Sequence, residues 1–326
     1  MPDRLSILVF AYHNVGYECL DMLIRRGENI VGVFTHEDNP KEEIWFRSVA
    51  ALARAHGIPV HTPGSVNTPV WTAAIRDLRP DIIFSFYYRN IIKEEILNLP
   101  RLGAFNMHGS LLPKYRGRVP INWAVLNGER ETGATLHHMA KRADAGDIVD
   151  QEAVPIGPDD TAFDVFNKVT VAARKVLERQ IDAIKAGTAP RMRQNESQAT
   201  SFGGRKPEDG RIDWTQSAER IYNLIRAVTH PYPGAFTDFN GQRLFIWQAK
   251  PLGRGEGRPG TVLSIDPLRV ATGNGSLEIT RYQWEGDHEE SAADVTHDLR
   301  AGAILGKGII TKNTDEPQRR EGRKET

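Results

Sequence analysis

Cysteine is nearly absent: the 326-residue chain carries one, Cys19. A lone cysteine excludes an intramolecular disulfide framework and any cysteine-rich metal site, and it suits a reducing compartment. Net charge is absent too, because 42 Lys and Arg face 42 Asp and Glu. No global field draws such a chain onto nucleic acid or an anionic membrane. Long apolar runs are missing. Nothing approaches the roughly 18 residues that a membrane-spanning helix needs, and the N-terminal apolar run is too short for a signal peptide. These absences lead us to expect a cytoplasmic, soluble protein without membrane insertion. Two motifs are missing as well. No G-x-G-x-x-G follows the first strand-like run, which removes the dinucleotide fingerprint. No G-x-S-x-G occurs, which removes the nucleophile elbow.

What is present is an ordinary globular composition, 40% hydrophobic and 26% charged, arranged with an α/β rhythm. SILVFA (6–11) reads as a buried strand, a helix follows as far as Gly27, and NIVGVFT (29–35) reads as a second strand. Such β-α-β order favours a parallel sheet with right-handed crossovers. The fold expected is a Rossmann-like, mostly parallel sheet with helices on both faces. Beyond the long amphipathic pattern of 161–187 the composition turns polar. Five short strand-like runs with Gly turns then suggest a small OB-like β-barrel. The boundaries expected are a catalytic domain over 1–190, a linker over 191–207, the small β domain over 208–305 and a loose tail over 306–326.

The most site-like stretch is FNMHGSLLPKYRGRVP, residues 105–120. Asn106 and His108 stand two apart at the end of an apolar run, and alternate side chains of a strand share a face. An exposed basic turn, Lys114 to Arg118, is expected to follow. In open α/β sheets ligands bind beyond the carboxyl ends of the strands. Asp144, in a separate loop, completes a trio. Histidine exchanges protons near neutrality, an Asn N–H stabilises a developing oxyanion, and an Asp orients and supports a His. Such a trio suits acyl transfer to an amine. On the residues alone, a structural histidine and a turn aspartate account for the same pattern.

FNMHGSLLPKYRG resembles the formyltransferase signature, and ETGATLHHMAKRADAGDIV resembles a second element of the same family. The resemblance implies a 10-formyltetrahydrofolate-dependent N-formyltransferase, with Asn106, His108 and Asp144 as its catalytic residues and no metal. It further implies that folate lies against Asn90, Ile91 and Ile92 and against Ala140, Lys141, Arg142, Ala143 and Asp144, with Arg118 helping to bind substrates. Within the family the sequence is most similar, over roughly residues 5–285, to the formyltransferase half of the bifunctional polymyxin-resistance enzyme. That enzyme formylates UDP-4-amino-4-deoxy-L-arabinose in lipid A modification of lipopolysaccharide. Its second half is a dehydrogenase absent from this sequence, so that step is expected from another protein, or the substrate differs.

The substrate expected is a nucleotide-linked amino sugar, met by Tyr88, Ser110, Trp123 and Arg205. One alternative is another 4-amino-4,6-dideoxy sugar nucleotide of surface polysaccharide. Another is methionyl-tRNA, which the neutral chain and the acidic loop HEDNPKEE (36–43) disfavour, so no nucleic-acid partner is expected. A folate-binding regulator and a formyltetrahydrofolate hydrolase stand further back. The adjacent pair His137-His138 lacks a third ligand in sequence and is not expected to bind metal. The sequence leaves an oligomer open, and no apolar stripe outside the core elements marks its interface.

Overall fold

The computed structural model describes residues 4–40, 43–253, 257–291 and 299–306. The tail expected beyond residue 306 lies outside the described residues. The chain divides into two compact units, Met1–Gly210 with Glu219–Ala235, and Arg211–Ala218 with Phe236–Thr326.

The first unit runs β1 (Ser6–Ala11), α1 (His13–Arg25), β2 (Asn29–Phe34), α2 (Val49–Ala55), β3 (Val60–His61), α3 (Pro69–Asp77), β4 (Ile82–Phe86), α4 (Glu94–Leu97) and β5 (Ala104–His108). It continues through β6 (Arg116–Gly117), α5 (Pro120–Leu126), β7 (Glu131–His138), β8 (Ile148–Pro155), α6 (Ala162–Lys185), β9 (Ser201–Phe202) and α7 (Ala218–Val228). Seven strands form one sheet in the order β3-β2-β1-β4-β5-β7-β8. The pairs from β3 to β5 are parallel, whereas β7 and β8 join antiparallel.

The sheet forms because its central strands are apolar on both faces. Every residue of β4 is buried, as is all of β1 beyond Ser6, the pattern of a doubly covered parallel sheet. On one face Leu8, Phe10, Phe34 and Ile83 pack with Ile75, Ile96 and Leu97 from α3 and α4. On the other face α1 closes on Ala11, where Gly16 leaves room for the approach. The long α6 lies across α1, β7 and β8. Its start is set by a reciprocal capping box, Thr161 with Asp164, which satisfies donors that the first turn cannot pair internally. No described helix is long and apolar enough to cross a membrane.

The second unit holds β10 (Ala235–Phe239), β11 (Gln242–Leu252), β12 (Val262–Ile265), β13 (Leu268–Ala271), β14 (Ser276–Trp284) and β15 (Glu290–Ser291). The five expected strands are all present. They order as β10-β11-β14-β13-β12, with β15 beside β14. Two segments lie elsewhere than composition suggested. The polar stretch 191–207, expected as a linker, is structured along the first unit. Met192 bridges to Ile148, and β9 pairs with β6. Helix α7, expected within the small domain, packs on the first unit: Asn122 Nδ2 donates to the Ala227 carbonyl at 2.8 Å, and Arg220 Nη1 donates to the Leu126 carbonyl at 2.6 Å.

Candidate active site

The site is assembled where β5 meets β7. Parallel pairing sets Ser85 of β4 beside Asn106, and antiparallel pairing sets His137 opposite Asn106 and Thr135 opposite His108. Period-2 alternation then places Asn106, His108, Thr135 and His137 on one face. Reversal of chain direction at β7 brings a second histidine to the pair. The loop after β7 returns Asp144 to the same place in a left-handed conformation, φ +56°, uncommon for a residue with a Cβ.

The contacts fix the donors. His108 Nε2 lies 2.7 Å from the Tyr115 carbonyl oxygen. A carbonyl only accepts, so Nε2 carries the hydrogen, and Nδ1 is the nitrogen left to exchange a proton. That Nδ1 is 3.5 Å from Asp144 Oδ1. By the same logic His137 Nδ1 donates to the His138 carbonyl at 2.9 Å, and its Nε2 accepts from Asn106 Nδ2 at 3.1 Å. His137 Nε2 is also 3.5 Å from Asp144 Oδ1. The Gly117 N–H donates to Asp144 Oδ2 at 2.9 Å. Burial pushes the Asp144 carboxyl up, but the neighbouring His108 and the Gly117 N–H help to outweigh it, and the carboxyl is held well below the usual range. A fixed carboxylate beside an imidazole nitrogen, with an amide donor alongside, can accept an amine proton and stabilise a developing oxyanion.

In the turn between β5 and α5, Lys114, Gly117 and Arg118 are exposed as expected, but Tyr115 and Arg116 are not. Tyr115 is 7% and Arg116 2% exposed. A buried guanidinium is costly unless fully paired. Arg116 meets this with Gln194 Oε1 at 2.7 Å from Nη2 and with both Glu196 oxygens, at 2.6 and 3.0 Å. Gln194 Nε2 in turn donates to the carbonyls of Asp144 and Gly146, at 2.8 and 2.7 Å. The segment after α6 thus fastens both loops that carry the site. Gly117 pairs so closely with Phe202 that a Cβ there would collide with the Phe202 carbonyl oxygen.

The remaining expected site residues divide. Ser110 is corrected: it is wholly buried, and its hydroxyl donates to the Lys114 carbonyl at 2.6 Å, so it shapes the turn and offers no surface to a substrate. Ile92 belongs to the core, whereas Ile91 is 65% exposed. Asn67 anchors this stretch, donating to the Ile91 carbonyl and accepting from the Lys93 N–H, while Asn90 Nδ2 donates to the Gly64 carbonyl. Ala140, Lys141, Arg142 and Ala143 form an exposed loop running into Asp144. Arg118 is exposed beside Gly117 and Gly204. The Tyr88 ring sits between Phe10 and His36, stacked on His36 at 4.3 Å. Trp123 packs on Phe202, and Arg205 lies over its ring at 5.0 Å. Sequence reasoning missed His137 and Gln194. The first is betrayed only by strand register, and the second carries no local signal because its partners lie about 50 and 78 positions away.

A histidine, an amide and a carboxylate gather at the carboxyl edge of a largely parallel sheet, an arrangement that can move protons and steady an oxyanion. Comparison with known proteins gives the family. Residues 4–181 match the family model described as "Formyl transferase", and residues 205–300 match "Formyl transferase, C-terminal domain". The chain belongs to the formyl transferase family. Among solved structures, it resembles an N-formyltransferase from Helicobacter canadensis in complex with folinic acid and dTDP-3-aminofucose. That match has 22% identity over 84% of this chain and 97% of the other, with a TM-score of 0.66. The sugar 3N-formyltransferase WlaRD, determined with dTDP and 5-N-formyl-THF, matches at 21% identity over 87% and 99% with a TM-score of 0.66. HypX from Aquifex aeolicus, in complex with tetrahydrofolic acid, matches at 19% identity over 89% of this chain and 46% of its own, with a TM-score of 0.62.

Proposed function

We propose that the protein transfers a formyl group from 10-formyltetrahydrofolate to the 4-amino group of a nucleotide-linked amino sugar, with UDP-4-amino-4-deoxy-L-arabinose as the first substrate to test. The observation that carries this reading is the cluster of Asn106, His108, His137 and Asp144 on one strand edge in a formyl transferase fold. The surroundings fit a folate donor. Exposed Ile91 offers an apolar face fixed by Asn67, and the adjacent loop 140–143 and Arg118 stand open for its polar end. The donor supplies a one-carbon unit already at the oxidation level of formate.

The protein's own groups account for the transfer. A C–N bond forms to the sugar nitrogen, the bond from the formyl carbon to the folate nitrogen breaks, and one proton passes from the first nitrogen to the second. His108 Nδ1 takes the proton from the attacking amine and returns it to the departing nitrogen. Asp144, held ionised, stabilises the imidazolium between these events. Asn106 spends one Nδ2 hydrogen on His137. Its other hydrogen has no protein acceptor among the described residues and is left for the oxygen that gains negative charge. Trp123 with Arg205 forms a wall of the sugar pocket.

A second sugar nucleotide is kept in view because two structural relatives were determined with a dTDP-sugar or dTDP. The test is turnover with 10-formyltetrahydrofolate against UDP-, dTDP- and GDP-linked 4-amino and 3-amino sugars, with charged initiator tRNA as control. Formylation of a sugar nucleotide is expected, and formylation of the tRNA alone would refute the proposal. His108→Ala is expected to lose formyl transfer while still binding 5-formyltetrahydrofolate in calorimetry. Undiminished turnover in that variant would remove His108 from the mechanism.

A further inference from the structure

His137 is 2% exposed, lies directly across from Asn106, and is not one of the three groups that the transfer needs for proton movement or charge. Its bonds nevertheless constrain two of them. The Nδ1 hydrogen is committed to the His138 carbonyl, so Nε2 presents a lone pair. Asn106 Nδ2 donates to that lone pair at 3.1 Å, and Asp144 Oδ1 stands 3.5 Å from the same nitrogen.

An asparagine amide has two orientations that differ only by exchanging its oxygen and nitrogen. In one, the carboxamide offers N–H to the reacting oxygen. In the other it offers a lone pair and repels the charge that develops there. Nothing in the covalent structure of Asn106 selects between them. The lone pair of His137 does, because it bonds only the orientation that points Nδ2 inward. The titratable groups near His137 are Asp144, His108 across the same carboxylate oxygen, and the adjacent His138. Were the His137 ring charged, its Nε2–H would turn to Asp144 and release Asn106.

We propose that His137 is a positioning residue for formyl transfer, a neutral Nδ1–H imidazole whose Nε2 sets the flip of the Asn106 carboxamide. The inference rests on the formyl-transfer reading for its kinetic consequence and on geometry alone for its tautomer.

Two variants test it. His137→Leu removes the acceptor. His137→Gln restores one, since its Oε1 accepts from Asn106 and its amide N–H donates to Asp144, yet it carries no proton at any pH. In the full chain, with thermal unfolding confirming folded protein, His137→Leu is expected to lose about 100-fold in kcat, the scale of a lost oxyanion donor. KM for the amino sugar and Kd for 5-formyltetrahydrofolate should stay within about threefold, since truncation removes a group that steadies charge in the transition state rather than one that binds ground-state ligands. His137→Gln is expected to recover most of that loss. Parent-like kcat in His137→Leu overturns the proposal. So does a folded His137→Gln as slow as His137→Leu, which would assign the ring a proton-carrying role. Ring-nitrogen NMR of the parent reads the tautomer without turnover. A charged ring or an Nε2–H tautomer at neutral pH overturns the proposal, whereas a correct tautomer in a protein that formylates no amine would defeat the functional reading instead.

Discussion

At the scale of single residues, part of the cluster was legible in the sequence and part was hidden by geometry. Asn106 and His108 announce themselves because two polar residues at spacing two interrupt an apolar strand end. His137 does not, because an apolar strand tolerates a buried histidine and only the register of β7 reveals what it meets. His36 gives a prediction at this scale. Burial and the positive charge of Arg89 push its pKa from the ordinary 6.5 down to about 4, and its Nε2 accepts from the Arg89 N–H at 3.0 Å. Between those values the unfolded chain binds more protons than the folded one. The stability this residue contributes is therefore complete above pH 6.5 and is lost as pH falls toward 4. His36→Phe keeps a ring against Tyr88 but cannot titrate. Chemical denaturation across that pH range is expected to show a shallower fall for the variant than for the parent, and parallel curves would contradict the assignment.

At the scale of elements, helices and strands followed their sequence signals closely. The five C-terminal strands, the Gly27 and Gly187 helix ends and the start of α6 all carry local signatures, since caps and turns depend on residues a few positions apart. The capping box makes this measurable. Thr161 Oγ1 accepts from the Asp164 N–H, and Asp164 Oδ2 accepts from the Thr161 N–H. Thr161→Ala should cost about 1 kcal/mol by urea unfolding, and a loss within error would mean that solvent satisfies the first turn equally well. The stretch 191–202 was the misleading element. It is polar because its side chains serve buried partners: Glu196 neutralises Arg116, Gln194 orients it, and Gln194 braces the backbone at Asp144. Composition registers the polarity but not the partners.

At the scale of the whole molecule, the α/β-then-β plan was readable because hydrophobic period changes between its parts, whereas the exact boundary was not. The chain enters the second unit at Arg211, returns to the first for Glu219–Ala235, and leaves again. Helix α7 anchors to the first unit through Asn122 and Arg220, and Arg226 donates to the Asp160 carbonyl at 3.0 Å. A fragment ending at residue 207 leaves the buried Asn122 amide unpaired, a loss of roughly 1–3 kcal/mol. By calorimetry such a fragment should melt below one ending at residue 235. Equal melting temperatures would show that the helix adds nothing to that unit.

The adjacent histidines of β7 bear on how this gene tolerates small insertions and deletions. His137 faces Asn106, while His138 points to the opposite side and packs on Phe105. Because side chains alternate, a slip of one position exchanges the two faces of a strand. Losing one residue from the N-terminal half of β7 would bring His138 into the slot facing Asn106 and so still supply an imidazole there. Gaining one would bring Leu136 instead and leave the Asn106 amide without its acceptor. The doublet makes frame-preserving lesions on this strand asymmetric: a one-codon loss keeps the chemistry of the slot, and a one-codon gain erases it.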